Sequence, residues 1–191
     1  MKLYFSPGAC SLAPHIALRE TGAKFDLAQV DNKAKKTKSG VDFWQINSKG
    51  YVPVLEIDSG ERITENPAIL QYIGDLNPSS GIVPACGTID RTRVQEWLNF
   101  VTSEIHKTFT PLFKADTPEE FKTIAKGNLV KRYAFIDKHL AGRHYLHGDK
   151  LGVADVYLFV VSRWLVRFEI DMAQWPNVKA WWDRIAARPK V

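Results

Sequence analysis

The chain has 191 residues, of which 45% are hydrophobic, and a net charge of +5. That length suits two compact domains, and no stretch approaches the ~20 consecutive apolar residues of a membrane helix, so a membrane-spanning role is excluded. The two cysteines, Cys10 and Cys86, fall in different predicted elements without clustered histidines, which argues against a structural disulfide and a metal site. The basic excess is densest at Lys33, Lys35, Lys36 and Lys38; without interleaved aromatics this reads as a solvated loop, or as a field that steers a small anion, and not as a nucleic-acid surface.

Lys2 to Phe5 is a short strand pattern closed by Ser6-Pro7-Gly8. With no apolar core and cleavage site at this end, the segment reads as a strand and not as a signal peptide, and a cytoplasmic location is expected. Ser11 to Gly22 reads as a helix with Leu12, Ala13, Ile16 and Ala17 on one face. Phe25 to Val30 is a second strand, and Asp58-Ser59-Gly60 turns a hairpin between Val54–Ile57 and Arg62–Thr64. Asn66 as cap and Pro67 as first residue open the next helix, which Asn77-Pro78 ends.

A Pro/Gly/Ser-rich stretch follows, and helices follow it. Residues 1–77 form the expected first domain, 78–87 the linker and 88–191 the second domain. Val94, Trp97, Leu98, Val101 and Ile105 mark a long amphipathic helix. Thr117-Pro118-Glu119-Glu120 is a capping box for a helix to about Leu140. Val153 to Phe168 is apolar on most sides and predicts a buried helix, and Trp175-Pro176 begins the last one.

Four features could carry chemistry. Cys10 lies between the first strand and first helix, where helix-terminal N–H groups lower a thiol pKa; the bland alternative is an inert buried cysteine. Val52-Pro53 precedes a strand, either as a trans strand-leading proline or as a cis pair that presents the Val52 backbone to a peptide-like ligand. Glu65 and Asn66, at a helix start, could grip the ammonium and carboxylate of an amino-acid end, or simply cap the helix. Asn99, Ser103, His106 and Lys107 recur at spacings of three and four and form one polar stripe, which could equally be a solvated face.

Ser6-Pro7-Gly8-Ala9-Cys10-Ser11, Val52-Pro53, Thr64-Glu65-Asn66, Glu96-Trp97-Leu98-Asn99-Phe100 with His106-Lys107, and Val153-Ala154-Asp155 recur along nearly the whole chain in one order. In order and spacing this set resembles the bacterial beta-class glutathione S-transferases. The resemblance implies an α/β thioredoxin-like N-terminal domain and an all-α helical C-terminal domain, the cytosolic glutathione transferase fold. It implies conjugation of glutathione to small hydrophobic electrophiles, with thiol–disulfide exchange through Cys10 as an added capacity. A glutaredoxin-like oxidoreductase and a non-catalytic hydrophobic-ligand binder on the same fold are the alternatives. Glutathione is then a co-substrate, no cofactor is permanently bound, and the chain forms a homodimer.

Residue by residue, the resemblance places Cys10 and His106 at the sulfur, Val52 and cis-Pro53 against the cysteinyl backbone, and Glu65 and Asn66 at the γ-glutamyl end. It places Lys35 at a carboxylate, and Asn99, Ser103 and Lys107 along the same cleft. Tyr51, Phe109, Phe113 and Trp164 are expected to line the electrophile pocket. The chain departs from the family pattern at Tyr51, where an amide is common, at Pro67, and at Gly152, where Ser or Thr usually stands three residues before Asp155. It also ends at Val191, short of the usual C-terminus.

Overall fold

The computed structural model describes residues 1–191, and its contacts divide the chain into two compact units, Met1–Ala85 with Lys190, and Cys86–Pro189 with Val191. The first unit is built on a five-stranded sheet with strand order β3-β2-β1-β4-β5. Strand β1 (Lys2–Phe5) runs parallel to β2 (Asp26–Asp31), and helix α1 (Leu12–Thr21) connects them. On its other side β1 pairs antiparallel with β4 (Val54–Glu56), which turns back into β5 (Arg62–Thr64). Helix α2 (Asn66–Leu76) follows at once and packs against α1. Alternation along β1 feeds two layers: Leu3 is fully buried, while Tyr4 turns to a second cluster with Val30, Phe43, Val52 and Val54.

Most of these elements follow the local pattern. Gly22 ends α1 in the left-handed conformation (φ 70°), and its N–H bonds back to the last turn. Two expectations need correction. The lysine-rich stretch is not a plain loop: Lys36–Thr37 forms the edge strand β3, antiparallel to β2, after a turn in which Asp31 Oδ1 accepts from the N–H groups of Lys33 and Ala34. Asn66 is not the cap of α2. Glu65 holds the cap position at φ 69°, and Asn66 is the first helical residue, buried, with Pro67 second.

The second unit is helical. Helix α3 (Ile89–Phe100) is capped by Thr88, passes through a π-helical segment, Val101–His106, and continues as α4 (Lys107–Phe113). The Lys107 N–H reaches the Thr102 carbonyl, five residues back. Here the hydroxyls of Thr102, Ser103 and Thr108 each bond a carbonyl four residues earlier, at 2.8, 3.0 and 2.8 Å, and so compete with the α-helical ladder. The sequence predicted an uninterrupted α-helix, and this widened turn is what periodicity alone misses.

Helix α5 (Glu119–Leu140) starts one residue after Pro118, which occupies the cap position without a side-chain bond, so the Thr117 capping box does not form. Every residue of α6 (Val153–Ser162) is buried. The helix expected to reach Phe168 stops there: the Ser162 hydroxyl takes the Leu158 carbonyl at 2.7 Å, and a turn at Arg163 separates α6 from α7 (Trp164–Arg167). Helix α8 (Pro176–Ala186) buries Trp181.

Asp155 ties the helices of this unit together. Its carboxylate accepts from the N–H groups of Gly152 (3.1 Å) and Leu146 (2.8 Å) and from the Trp181 indole (2.8 Å). Burial pushes its carboxyl up to about 6, against the downward pull of these bonds. Gly152 has no side chain to return the bond to the first turn, so only the Asp155 half of a capping box is made.

Candidate active site

In the first unit, the loop from Ser6 to Ser11 is closed by the Ser11 hydroxyl, which accepts from the Ser6 N–H (3.1 Å) and donates to the Ser6 carbonyl (3.3 Å). This clamp sets Cys10 just before α1. The Cys10 thiol donates to the Val52 carbonyl at 3.6 Å, and the Val52-Pro53 bond is cis. The sequence predicted a lowered thiol pKa, and the structure corrects this. Burial pushes the Cys10 thiol up to about 11; hydrogen bonds from the Asn66 side chain and the adjacent backbone pull downward, and the charge of Glu65 pushes further up. Desolvation removes more stabilisation from the thiolate than the helix N-terminus restores. Cys10 therefore enters the site as a neutral hydrogen-bond donor.

Asn66 comes to the same place from the start of α2. Its side chain is buried, and its Oδ1 has no hydrogen-bond partner. A buried amide oxygen without a donor is costly, by about 1–3 kcal/mol, and a ligand N–H would relieve it. Next to it, the Glu65 side chain is 56% exposed and already paired: Lys49 Nζ donates to Glu65 Oε1 at 2.7 Å and to Thr64 Oγ1 at 3.0 Å. Lys35 is likewise engaged, with Nζ donating to the Gly50 carbonyl at 2.7 Å and lying 5.8 Å from the centre of the Trp44 ring. Gly50 has φ 72°, and a Cβ there would meet the Trp44 ring at 2.5 Å, so the close approach and the backbone conformation both require glycine. Tyr51 is exposed, and its carbonyl accepts from Asn47 Nδ2 at 2.7 Å.

In the second unit, His106 sits at the end of the π-helical segment. Its Nδ1 lies 2.6 Å from the hydroxyl of buried Tyr157, and its ring centre lies 5.1 Å from that of Trp164. Asn99, Ser103 and Lys107 are exposed on the same helix, and the Ser103 hydroxyl is spent on the Asn99 carbonyl. The aromatic residues divide. Phe109 is fully buried against Trp164 and Phe168, so it is a core residue that offers a ligand no surface, contrary to its expected place in the pocket lining. Phe113 is 42% exposed, edge-on to Trp164 at 5.0 Å, with the Arg167 guanidinium 5.2 Å from its ring centre.

Comparison with known proteins agrees with this geometry. Residues 1–75 match the profile of the glutathione S-transferase N-terminal domain, and residues 100–189 that of the C-terminal domain. The chain belongs to the glutathione S-transferase family. It is similar to glutathione S-transferase GstA of Escherichia coli O157:H7, with 41% identity over 191 residues that cover 100% of this chain and 95% of GstA. A sphingomonad glutathione S-transferase solved with glutathione superposes with a TM-score of 0.97 at 51% identity, covering 100% of this chain and 95% of that one. The bacterial beta-class transferase of Sphingomonas chungbukensis gives a TM-score of 0.97 at 47% identity, with 100% and 94% covered, which places the chain with the bacterial beta class.

Within this transferase fold, the structure brings together Cys10, Val52, Pro53, Glu65 and Asn66 in the first unit, with Tyr51 next to Gly50 and Lys35, from just before β3, bonded to the Gly50 carbonyl. Sequence reasoning missed Lys49, Trp44 and Tyr157. Lys49 meets Glu65 across 16 positions, and Tyr157 meets His106 across 51, so no local spacing could signal either pair. No cluster of His, Cys, Asp and Glu of a kind that could hold a metal forms anywhere in the chain.

Proposed function

We propose that the first unit binds glutathione through Cys10, Lys35, Val52, Pro53, Glu65 and Asn66, and that the enzyme transfers its thiolate to small hydrophobic electrophiles. The observation that carries this reading is the unpartnered Oδ1 of buried Asn66 beside Cys10 and the Val52 carbonyl. Open peptide-like hydrogen-bonding groups next to a neutral thiol suit a tripeptide thiol as ligand. The Val52 backbone pairs with the cysteinyl unit, Glu65 takes the α-ammonium, and Lys35 takes a carboxylate. The Cys10 S–H, on leaving the Val52 carbonyl, donates to the glutathione thiolate. By the family resemblance, His106, Asn99, Ser103 and Lys107 of the second unit also serve glutathione, and Tyr51, Phe113 and Trp164 serve the electrophile.

In the reaction with an aryl halide, the thiolate sulfur bonds to the ring carbon and halide leaves with the electron pair. The raised Cys10 pKa favours this conjugation over exchange chemistry led by a Cys10 thiolate. We also propose a cytoplasmic homodimer; exposed Trp44, Phe121, Ile124 and Phe135 are apolar side chains that a second copy would cover. No helix is long and apolar enough to cross a membrane.

Calorimetric titration with glutathione, together with product analysis after reaction with an aryl halide, tests the reading. Saturable binding and a thioether product are expected, both weakened in Asn66→Ala. Mixed disulfide as the sole product would transfer the assignment to an oxidoreductase.

A further inference from the structure

The carboxylate that reads as the receptor for the ligand's ammonium group already holds an ammonium group. Lys49 Nζ sits 2.7 Å from Glu65 Oε1 and 3.0 Å from Thr64 Oγ1. We propose that Lys49 is an internal competitor for the glutathione α-ammonium, occupying Glu65 in the free protein and leaving it when the γ-glutamyl end binds. The proposal rests on the reading of Glu65 given above and deepens it.

The chemistry is a substitution of like for like. A lysine ammonium and an α-ammonium are both compact cations with three donors, and both take a carboxylate at the same distance. With Lys49 in place, the charge of Glu65 is already neutralised, so an arriving ammonium gains little and meets a like charge a few ångströms away. Both side chains of the resident pair are about half exposed, at 46% and 56%, so the pair is open to solvent and to ligand. An exposed pair of this kind is weak enough to exchange. The α-carboxylate that accompanies the incoming ammonium does not need Lys49, because the first-turn N–H groups of α2 suit an anion. Lys49 thus lowers affinity for glutathione, and it also shields Glu65 when a ligand brings no ammonium. Its removal therefore shifts the two kinds of ligand in opposite directions.

The test is calorimetric titration of the full chain with glutathione and with glutaryl-cysteinyl-glycine, which lacks only the α-ammonium. The variants are Lys49→Met, Glu65→Gln and the double substitution, each checked for an unchanged thermal melt. Lys49→Met is expected to bind glutathione about two- to fivefold tighter, the range set by exposed ion pairs. The same variant is expected to bind the glutaryl analogue more weakly than the unsubstituted chain, and the gain for glutathione should vanish in the Glu65→Gln background. Weaker glutathione binding by Lys49→Met, an equal gain for both ligands, or a gain that survives Glu65→Gln overturns the competitor role alone. An unsubstituted chain that binds neither ligand overturns the reading of the site and the competitor role with it.

Discussion

The two units prepare for ligands in different ways. In the first, the polar groups are held in internal pairs: the Cys10 thiol on the Val52 carbonyl, Lys35 on the Gly50 carbonyl, and Glu65 on Lys49. At the start of α2 the Asn66 oxygen is left without a partner. In the second, the hydrogen bond of His106 to Tyr157 sits beside a group of stacked and edge-on rings, with Trp164, Phe113 and Phe168 packed around buried Phe109. Paired polar groups demand that a ligand reproduce each bond it displaces, which gives sharp selection. Ring edges ask only for apolar contact, which tolerates many shapes. That contrast suits the proposed pairing of glutathione with small hydrophobic electrophiles.

The largest effect should come from the rigid core of the second unit. Asp155→Ala leaves the N–H groups of Leu146 and Gly152 and the Trp181 indole without their acceptor. A loss of about 3 kcal/mol or more in urea unfolding is expected; a loss under 1 kcal/mol would mean that Asp155 does not organise these helices. Next is the chemistry of Cys10. With its thiol raised from 9.0 to about 11, it should react with iodoacetamide at pH 7 about a hundredfold more slowly than a free cysteine of ordinary pKa, and faster as pH rises. The sign follows from linkage: a raised folded pKa means that the neutral thiol's contribution to stability is present below pH 9.0 and is lost as pH rises through about 11. Fast alkylation at neutral pH would contradict the desolvated, neutral thiol.

His106→Ala should lower turnover with an aryl halide by up to about 10²-fold, the scale of a positioned acid–base group. Wild-type kinetics in this variant would remove His106 from the chemistry and leave it as a packing partner of Tyr157. The smallest effect is expected at Gly152, which lies in the extended region (φ −112°, ψ 167°) that serine adopts freely. Gly152→Ser should complete the capping box with Asp155 and raise stability by a few tenths of a kcal/mol, about 0.3, read as a small rise in the urea midpoint.

Legibility in the sequence also divides between local and distant features. Strands β1, β4 and β5 and helices α1, α2 and α8 follow from alternation, helical spacing, turn residues and caps. These signals act over a few residues, so the chain carries them openly. Where capping was misjudged, at Thr117 and Asn66, the helix start moved by a residue and the sign of the element did not change. The π-helical segment was hidden because hydroxyl competition for carbonyls leaves the apolar spacing intact.

By itself, the sequence determined most of the helices and strands, which of their faces are apolar and which residue types gather near the start of α1 and α2. Only the tertiary structure decided how those residues behave. The helix start beside Cys10 argued for a thiolate, yet desolvation by packed neighbours prevails and keeps the proton on sulfur. Glu65 read as an open carboxylate, yet a lysine 16 positions away occupies it. His106 read as one member of a polar stripe, yet a tyrosine 51 positions away holds its ring. Local order follows from short-range sterics and hydrogen bonding, whereas pKa, ion pairing and side-chain orientation depend on dielectric and proximity, which exist only once distant segments have packed.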